Sequence, residues 1–432
     1  MGMWRCGNHT FALEHPLIMG IINVTPDSFS DGGLYDEDER AIQHGLRLLD
    51  AGADILDVGG ESTRPGFTEV VPDEEISRVV PVIERLVAEG AIVSIDTRHA
   101  EVARAALDAG ASIINDVTGF TDPAMREVAL ESDAGLVVVR NSATSHTNTT
   151  YHVGHMPCSD SPYRVTQTEP ECQSTDCTTA CGYISDMLSV LTGYDDIDSD
   201  RIVFDPGFGF VDTYEEDLAL WSQLDHFTES SYPVLVGISR KRLVGRISGI
   251  SDAAERDEAS AQLAVAAIHH GTKIVRVHDV TTTVQALKSY ESAQSVTSYV
   301  ALGSNLGDRK AFLEEAVARI DTLPDTTVEA VSSFIETEAL YVTDQPDFLN
   351  AAIRVRTKLP LFAFFTELQA IEVAMGRVKE YDKGPRTIDL DLLIFGDITY
   401  QTSALTIPHP LMHERGFVLE PLREVALVSK QR

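Results

Sequence analysis

The stretch ADILDVGGESTRPGFTEVVPDEEISRVVPVIERLVAEG, residues 53–90, contains one complete strand–loop–helix unit. A short apolar run, ADILDV (53–58), leads into a polar, glycine-rich loop, GGESTRPG (59–66). An amphipathic segment follows, with apolar residues at helical spacing, and stops at Gly90, as the C-terminal end of a helix prefers. This order predicts a β-strand followed by an α-helix.

The same unit recurs along the chain between Pro16 and about Tyr290. The apolar runs are LIMGII (17–22), ADILDV (53–58), IVSI (92–95), SIIN (112–115), LVVV (136–139), IVF (202–204), VLVGI (234–238) and KIVRV (273–277). Eight strand–helix units in about 275 residues fit an α/β fold of the (β/α)8 TIM barrel type, which usually needs ~250 residues. An open, doubly wound parallel sheet is the alternative that the pattern alone leaves.

A different pattern follows the polar segment SYESAQSVTS (289–298). From YVALG (299–303) to TIDLDLLIFG (387–396), the order is strand, helix, strand, strand, helix and strand. This βαββαβ order predicts a ferredoxin-like α+β domain. We therefore expect a barrel domain at 1–290, a linker at 291–298 and a second domain at 299–432.

The composition restricts the possible partners. A formal net charge of −33 would repel nucleic acids and anionic membranes, so we expect neither as a partner. No stretch approaches the ~20 apolar residues of a membrane span, and the start MGMWRCGNHT lacks the features of a secretory signal, so we expect a cytoplasmic protein. Anionic substrates must then be held by local clusters of basic residues or by Mg²⁺.

Cysteine usage argues against a disulfide framework, because the total of five is odd. Cys158, Cys172, Cys177 and Cys181 lie together in a long connection between Asn141 and Asp200, near several histidines. Without paired C-x₂-C spacings, we interpret this segment as a polar insertion, with a Zn²⁺ site as the alternative.

Polar side chains follow almost every predicted barrel strand, where barrel enzymes carry their chemistry. One group offers mixed donors and acceptors for the edge of a flat heterocycle: Asp96, Asn115, Asp205 and Lys241. A second group suits a pyrophosphate and a Mg²⁺ ion: Asn23, Thr63, Arg64, Arg276 and His278. Each residue alone would be an ordinary turn or cap residue, but their recurrence at strand ends predicts displacement of pyrophosphate from carbon.

The motifs that contain these residues resemble those of the dihydropteroate synthase family. They are NVTPDSFSDGG (23–33), GGESTRPG (59–66), SIDT (94–97), IIND (113–116), DPGFGF (205–210), GISRK (237–241) and VRVHDV (275–280). The family condenses p-aminobenzoate with dihydropterin pyrophosphate and is the target of sulfonamides.

The resemblance implies a role for each site residue of the barrel. Asp96, Asn115, Asp205 and Lys241 would bind the pterin, and Thr63, Arg64, Arg276 and His278 the pyrophosphate, with one Mg²⁺ at Asn23. Thr63, Pro65, Phe210 and Lys241 would line the p-aminobenzoate pocket. A homodimer formed through the barrel is implied as well. Two segments depart from the family pattern, VRNSA (139–143) and Arg242, which commonly is Ser.

A second constellation lies near the C-terminus. Asp389 and Asp391 stand at positions i and i+2 of a predicted strand, so both carboxylates project from one face, with Cα atoms roughly 6.5–7 Å apart. Basic residues surround this pair in sequence: Arg377, Lys379, Lys383, Arg386, His409 and Arg415. The pattern predicts a magnesium–triphosphate site; a solvated edge strand is the structural alternative.

The surrounding motifs resemble the pyrophosphokinase that activates 6-hydroxymethyl-dihydropterin. They are YVALGSNLGDR (299–309), DQPDFLNAA (344–352), GPRTIDLDLLIFG (384–396) and IPHPLMHERGFVLEPL (407–422). The resemblance implies two Mg²⁺ at Asp389 and Asp391, and ATP contacts from Gln369, Glu372, Arg377, Lys379, Arg386, His409 and Arg415. It implies a pterin slot formed by Thr337, Leu340, Phe348, Asn350 and Phe417. Lys383, Phe348 and Pro410 depart from the usual pattern.

Together the two resemblances imply a bifunctional enzyme, because the product of the C-terminal reaction is the substrate of the N-terminal one. The expected catalytic residues are Asp96, Asp205, Lys241, Arg276, His278, Arg377, Arg386, Asp389 and Asp391. The competing enzyme hypothesis is a pterin-binding methyltransferase barrel. The non-enzymatic hypothesis is a pterin-binding module with one inactive domain.

Overall fold

The computed structural model describes residues 2–25, 34–61, 69–141, 194–340, 345–377 and 384–427. Its N-terminal part contains ten strands. They are β1 (Met3–Cys6), β2 (His9–Ala12), β3 (Leu17–Asn23), β4 (Ile55–Gly59), β5 (Val93–Asp96), β6 (Ile113–Asp116), β7 (Gly135–Val139), β8 (Ile202–Asp205), β9 (Leu235–Val236) and β10 (Ile274–Val277). The last eight of these correspond to the eight predicted apolar runs, all of which form strands.

These eight strands form one parallel sheet in the order β8-β7-β6-β5-β4-β3-β10-β9. A parallel bridge between Phe204 on β8 and Val234, next to β9, joins the two ends of this order. The sheet is therefore a closed barrel, and the open doubly wound alternative is wrong. Because all eight strands run in the same direction, their carboxyl ends meet at one mouth.

Helices surround the barrel and connect its strands. They are α1 (Leu34–Asp50), α2 (Pro72–Ala88), α3 (Ala100–Asp108), α4 (Pro123–Glu131), α5 (Tyr214–Trp221), α6 (Leu224–Thr228), α7 (Arg242–Ser248), α8 (Asp257–His269) and α9 (Val280–Ser292). Throughout the described residues, no helix combines the length and the apolar character needed to cross a bilayer.

The N-terminal hairpin β1–β2 is an element that the sequence analysis missed. Its Trp4 and Cys6 are fully buried against the inward-facing side chains of the barrel strands, among them Met19 and Val203. The Trp4 indole Nε1 donates to the carbonyl of Arg201 at 2.9 Å. The hairpin thus closes the end of the barrel opposite the mouth, and its short strands carry too little periodicity to be recognised in sequence.

The C-terminal part is an antiparallel sheet with helices, as the predicted ferredoxin-like fold requires. Its elements are β11 (Val296–Ser304), α10 (Arg309–Asp321), β12 (Thr326–Val331), β13 (Ile335–Thr337), β14 (Phe348–Thr357), α11 (Leu361–Ala374), β15 (Asp389–Phe395), β16 (Tyr400–Gln401), β17 (Thr406–Ile407) and α12 (Gly416–Leu427). The strand order is β12-β14-β11-β15, and β13 also pairs with β14. The second strand of the predicted βαββαβ order corresponds to the run TVEAVSSFIET (327–337), and in the structure this run contains two strands separated at 332–334.

The two parts are joined closely. Helix α9 ends at Ser292 and β11 begins at Val296, so the predicted linker at 291–298 overlaps both elements and only three residues separate them. Helix α11 (LFAFFTELQAIEVA) is buried over almost its whole circumference. A helix that is apolar all round must be covered on all sides, and here its own sheet covers one side while barrel helices cover the other.

Two candidate active sites

The mouth of the barrel contains a buried network centred on Arg276 of β10. Its guanidinium donates from Nε to Asp57 Oδ2 at 2.5 Å and from Nη2 to Asp96 Oδ2 at 2.6 Å. The side-chain amide of Asn115 donates to the same Asp57 oxygen at 3.0 Å. The structure therefore brings Asp96, Asn115 and Arg276 together as predicted, and it connects them through a residue that was not predicted, Asp57.

Lys241, which follows β9, and Asp205, at the end of β8, lie at the same mouth beside Arg276. The Lys241 ammonium donates to the carbonyl of Phe208 at 2.6 Å and lies 4.7 Å from the ring centroid of Phe210. Asp205 is buried at the end of β8, where its Oδ1 accepts from the amide of Gly207 at 2.8 Å. Lysine, aromatic ring and carboxylate thus form one wall, with donors and acceptors for a flat ligand.

A conformational requirement holds this wall in place. Gly207 has a φ of +82°, and a Cβ there would lie 1.8 Å from the carbonyl oxygen of Arg140. Only glycine fits so close a backbone contact. The carbonyl of Arg140, which lies within the departing segment VRNSA (139–143), is therefore in close contact with the DPGFGF segment.

His278 lies at the end of β10, and its Nδ1 is 3.0 Å from the hydroxyl of Ser239. Asn23 ends β3 in a half-buried position at the same mouth. The remaining predicted synthase residues, Thr63, Arg64 and Pro65, lie outside the described residues, as does most of the NVTPDSFSDGG segment. The polar insertion with its four cysteines, for which a Zn²⁺ site was the alternative interpretation, also has Cys158, Cys172, Cys177 and Cys181 outside the described residues.

Burial dominates the electrostatics of the barrel mouth. It raises the pKa of Asp96 to about 7, a rise that Arg276 opposes and Asp57 reinforces. Burial also lowers the pKa of Lys241 to about 8, although Asp205 acts in the opposite direction. The pKa of the buried Asp205 carboxyl is raised for the same reason. These groups are therefore poised to change charge or hydrogen-bonding state when a ligand replaces the surrounding water.

Arg242, which departs from the family pattern, has a structural role in this fold. Its guanidinium contacts Asp217 Oδ2 at 2.9 Å and donates to the carbonyls of Val211, Asp212 and Thr213. It therefore fixes the segment between Phe210 and helix α5. Its guanidinium is directed at the start of that helix.

The C-terminal domain contains two adjoining cavities, of about 270 and about 330 Å³. Four residues line both of them: Arg377, Asp389, Asp391 and His409. The first cavity is also lined by every residue of the predicted pterin slot: Thr337, Leu340, Phe348, Asn350 and Phe417. Gln369 and Glu372 line only the second. Asp389 and Asp391 therefore lie where the cavity lined by the predicted pterin-slot residues meets a second, more polar cavity.

Asp389 is held by two guanidinium groups. Arg377 Nη2 lies 2.8 Å from its Oδ1, and Arg386 Nη1 lies 2.7 Å from its Oδ2. Arg377 also pairs with the buried Glu372, whose Oε1 accepts from the amide of Leu390 at 2.6 Å. Leu390 and Leu392 are buried, whereas Asp389 and Asp391 are half-buried on the cavity side, as strand alternation predicts.

Negative charge accumulates at this position. Burial, reinforced by Asp389, raises the pKa of Asp391 to about 7. Burial likewise raises the pKa of Glu372 to about 8, against the effect of Arg377. Carboxyl groups whose ionisation is disfavoured in this way are stabilised by a bound cation. Among the described residues, no group of three or more Asp, Glu, His or Cys side chains is arranged to hold a metal ion by itself.

Aromatic rings and cations alternate in the first cavity. The guanidinium of Arg386 lies 5.7 Å from the ring centroid of Phe348, and that of Arg415 lies 5.8 Å from that of Phe417. The Asn350 amide donates to the Thr337 hydroxyl at 2.8 Å. The two rings offer faces for a planar heterocycle, and Asn350 is fixed beside them.

Three further residues were predicted to contact ATP: His409, Gln369 and Lys379. His409 lines both cavities, and its Nδ1 is buried without a hydrogen-bond partner in the described chain. Gln369 bonds to a residue of the barrel, Tyr214. Lys379 lies outside the described residues, as does Lys383.

Two residues of these sites escaped the sequence analysis. Asp57 lies inside the run ADILDV, where it reads as an interruption of an apolar strand; an acid in a strand buried on both faces was the available signal. Asn305 accepts from the amide of Arg386 at 2.8 Å and lies within the quoted motif YVALGSNLGDR. It therefore supports Arg386 from the adjacent loop.

Comparison with known proteins gives two family matches. A family model described as "Pterin binding enzyme" matches residues 19–278, and one described as "7,8-dihydro-6-hydroxymethylpterin-pyrophosphokinase (HPPK)" matches residues 299–427. The chain is 42% identical over 275 residues to the dihydropteroate synthase of Bacillus subtilis, a match that covers 62% of this chain and 85% of that protein.

Solved structures agree with this result. Dihydropteroate synthase of Xanthomonas albilineans with 4-aminobenzoic acid has 36% identity and a TM-score of 0.56, covering 68% of this chain and 98% of that one. The same enzyme in complex with 7,8-dihydropteroate has 30% identity and a TM-score of 0.52, with the same coverage.

Proposed function

The chain belongs to the pterin binding enzyme family and carries a hydroxymethylpterin pyrophosphokinase domain, and from this premise we propose how its two sites perform consecutive reactions of folate biosynthesis. The C-terminal domain transfers pyrophosphate from ATP to 6-hydroxymethyl-7,8-dihydropterin. The barrel condenses the product with p-aminobenzoate to 7,8-dihydropteroate. The chain is thus a bifunctional transferase, with a barrel domain at 1–290 and a kinase domain at 299–432.

In the kinase domain, the pterin hydroxyl forms a bond to the β-phosphorus of ATP while the bond to the leaving AMP breaks. Phe348 and Phe417 hold the pterin ring, with Thr337, Leu340 and Asn350 at its edge. Gln369, Glu372, Lys379 and His409 contact ATP. Arg377, Arg386 and Arg415 bring positive charge to the phosphates, which orients them for in-line attack.

In the barrel, the arylamine nitrogen of p-aminobenzoate forms a bond to the exocyclic methylene carbon of the pterin, and the carbon–oxygen bond to pyrophosphate breaks. Asp96, Asn115, Asp205 and Lys241 hold the pterin. Thr63, Arg64, Arg276 and His278 donate to the departing pyrophosphate, which stabilises the charge that develops on it. Thr63, Pro65, Phe210 and Lys241 line the p-aminobenzoate pocket.

Enzymes of these families generally use Mg²⁺ and ATP. We assign two Mg²⁺ ions to Asp389 and Asp391 and one to the Asn23 side of the barrel mouth. When bound, the ions neutralise charge on phosphate oxygens. The donor set supports the assignment in the kinase domain, because Asp389 and Asp391 lie on the same face of β15 and both line the two adjoining cavities. A homodimer through the barrel, implied by the resemblance, is also part of the proposal and is tested by light scattering.

One observation supports the kinase assignment above all others. The cavity with the two aromatic rings and the more polar cavity meet at Asp389 and Asp391. Metal ions bound at that point would lie between the pterin in the aromatic cavity and the ATP phosphates in the more polar cavity.

The test is to supply ATP, Mg²⁺, 6-hydroxymethyl-dihydropterin and p-aminobenzoate to the purified chain and to measure AMP and dihydropteroate. We expect Asp391→Ala to abolish AMP formation and to spare condensation when the pterin pyrophosphate is supplied. We expect Lys241→Ala to do the reverse. Loss of both reactions in either folded variant would contradict the assignment of two separate sites.

A further inference from the structure

The kinase domain rests on the barrel through helix α11, and one buried cluster anchors it. Glu367 of α11 accepts from the Trp221 indole at 2.8 Å and from His270 Nε2 at 2.9 Å. His270 Nδ1 lies 2.7 Å from Asp225. Burial opposes protonation of the imidazole, but the two carboxylates outweigh it and raise the pKa of His270 to about 10. The interface therefore contains a buried ion pair between His270 and Glu367, which joins α11 to the barrel.

Two residues after Glu367 on the same helix, a second bond crosses the interface. The hydroxyl of Tyr214, the first residue of barrel helix α5, donates to the side-chain carbonyl oxygen of Gln369. Gln369 lines the more polar kinase cavity, together with Glu372, Asp389 and Asp391. A barrel residue thus contacts a side chain of the kinase site.

We propose that Tyr214 is a positioning residue of the kinase reaction: it fixes the Gln369 amide toward ATP, so that the barrel completes the nucleotide site of the other domain. The proposal rests on the function proposed above, in which Gln369 contacts ATP. A free glutamine amide can turn over and exchange its donor for its acceptor. With its oxygen bound to the tyrosine hydroxyl, the amide keeps its NH₂ group available for an acceptor on the nucleotide.

Tyr214 is suited to this task because it remains a donor. Burial raises the pKa of its hydroxyl, and the nearby Glu215 and Glu372 reinforce the effect. The phenol is therefore neutral at any pH at which the enzyme works. Its proton has to be donated to an acceptor, and Gln369 supplies that acceptor.

The backbone that carries Tyr214 is also held firmly. Thr213 and Glu216 form a reciprocal capping box at the start of α5. One turn later, Asp217 accepts from the amide of Gly209 at 2.8 Å and pairs with Arg242. Arg242, the residue that departs from the family pattern, thus stabilises the start of the helix that bears Tyr214.

The test compares Tyr214→Phe with a matched control, Tyr290→Phe. Tyr290 also donates across the interface, to Asp325 at 2.8 Å, but Asp325 lines neither kinase cavity. We expect Tyr214→Phe to raise the KM for ATP in AMP formation about fivefold, the usual effect of losing one positioning hydrogen bond. The KM for the pterin should stay unchanged, and Tyr290→Phe should leave both constants within about twofold.

A double-mutant cycle distinguishes positioning from general damage to the interface. In the Gln369→Ala background, Tyr214→Phe should have no further effect on the KM for ATP, because its target is gone. An equal effect in both backgrounds, or equal effects of Tyr214→Phe and Tyr290→Phe, would overturn the proposal. Failure of the wild-type chain to form AMP would instead refute the proposed function itself, so the two failures are distinguishable.

Discussion

Replacing Asp57 by Asn tests whether this unpredicted carboxylate positions Arg276, the residue that we propose to bind pyrophosphate in the barrel. The Asp57 side chain is fully buried, and one of its oxygens accepts from both Arg276, at 2.5 Å, and Asn115, at 3.0 Å. Asparagine keeps the size and one accepting oxygen but loses the charge. Its new NH₂ group would then occupy the position of Asp57 Oδ1, which is buried without a partner.

The magnitude follows from the kind of bond that is lost. A buried hydrogen bond between charged groups contributes about 1.5–3 kcal/mol, and a neutral one about 1 kcal/mol. A net loss of about 2 kcal/mol in positioning Arg276 corresponds to a roughly 30-fold fall in kcat/KM for the pterin pyrophosphate. AMP formation by the kinase domain should be unchanged, which gives an internal check that the variant is folded.

The pH dependence provides a second readout. The Asp57 charge contributes to the raised pKa of Asp96, after burial. If ionised Asp96 binds the pterin, kcat/KM for condensation falls as the pH drops below about 7, since this constant reports the free enzyme. Removing the Asp57 charge should lower the pKa of Asp96 and move this acid limb to lower pH.

The control is Asp54→Asn, at the residue directly before the start of β4. Asp54 accepts from the amide of Ile18 at 2.8 Å, away from the mouth of the barrel. We expect its kcat/KM to stay within about twofold of wild type. If Asp57→Asn behaved in the same way, or if its acid limb did not move, the positioning role of Asp57 would be refuted.

Three further predictions concern stability, backbone conformation and metal binding. The pKa of His270 is raised from an ordinary 6.5 to about 10, so the stabilisation by its ion pair is complete below pH 6.5 and is lost as the pH rises toward 10. The difference in unfolding free energy between wild type and His270→Gln, measured by urea denaturation, should therefore decrease between pH 6.5 and pH 10. A difference that stays constant over this range would contradict the ion pair. Gly207→Ala would place a Cβ against the carbonyl of Arg140. The rate of condensation should therefore fall roughly a hundredfold while AMP formation continues. A normal condensation rate would disprove this close backbone contact. If Asp391 holds Mg²⁺ as proposed, protons compete with the ion at this carboxyl, whose pKa without metal is about 7. The Mg²⁺ concentration that half-saturates AMP formation should then rise about tenfold per pH unit below that value. Equal Mg²⁺ requirements at pH 6 and pH 8 would argue against metal binding there.

Local patterns account for most of the fold that could be predicted. Each barrel strand is a short apolar run with its own turn residues, so its position can be recognised from about ten neighbouring residues. The same holds for Asp389 and Asp391, because strand alternation alone puts both on one face. Elements with weak local signals were missed: the hairpin β1–β2, the break between β12 and β13, and helix α12.

The composition of α11 indicates that this helix is covered on more than one side. Its residues LFAFFTELQAIEVA are apolar around the whole helix, which indicates a second covering surface. The identity of that surface could not be read from the pattern. It is formed by barrel helices α5, α7 and α8, which come much earlier in the chain: the bond between Phe362 and Gln262 joins residues 100 positions apart, and that between Tyr214 and Gln369 residues 155 apart.

The sequence by itself determined the two folds, the families they resemble and the residue types available at each strand end, because these depend on short-range periodicity and on motifs. Only the tertiary structure decided which of those residues meet. Arg276 and Asp57 are separated by 219 positions and Tyr214 and Gln369 by 155. Such pairings depend on closure of the barrel and on the packing of one domain against the other, and no local pattern records them.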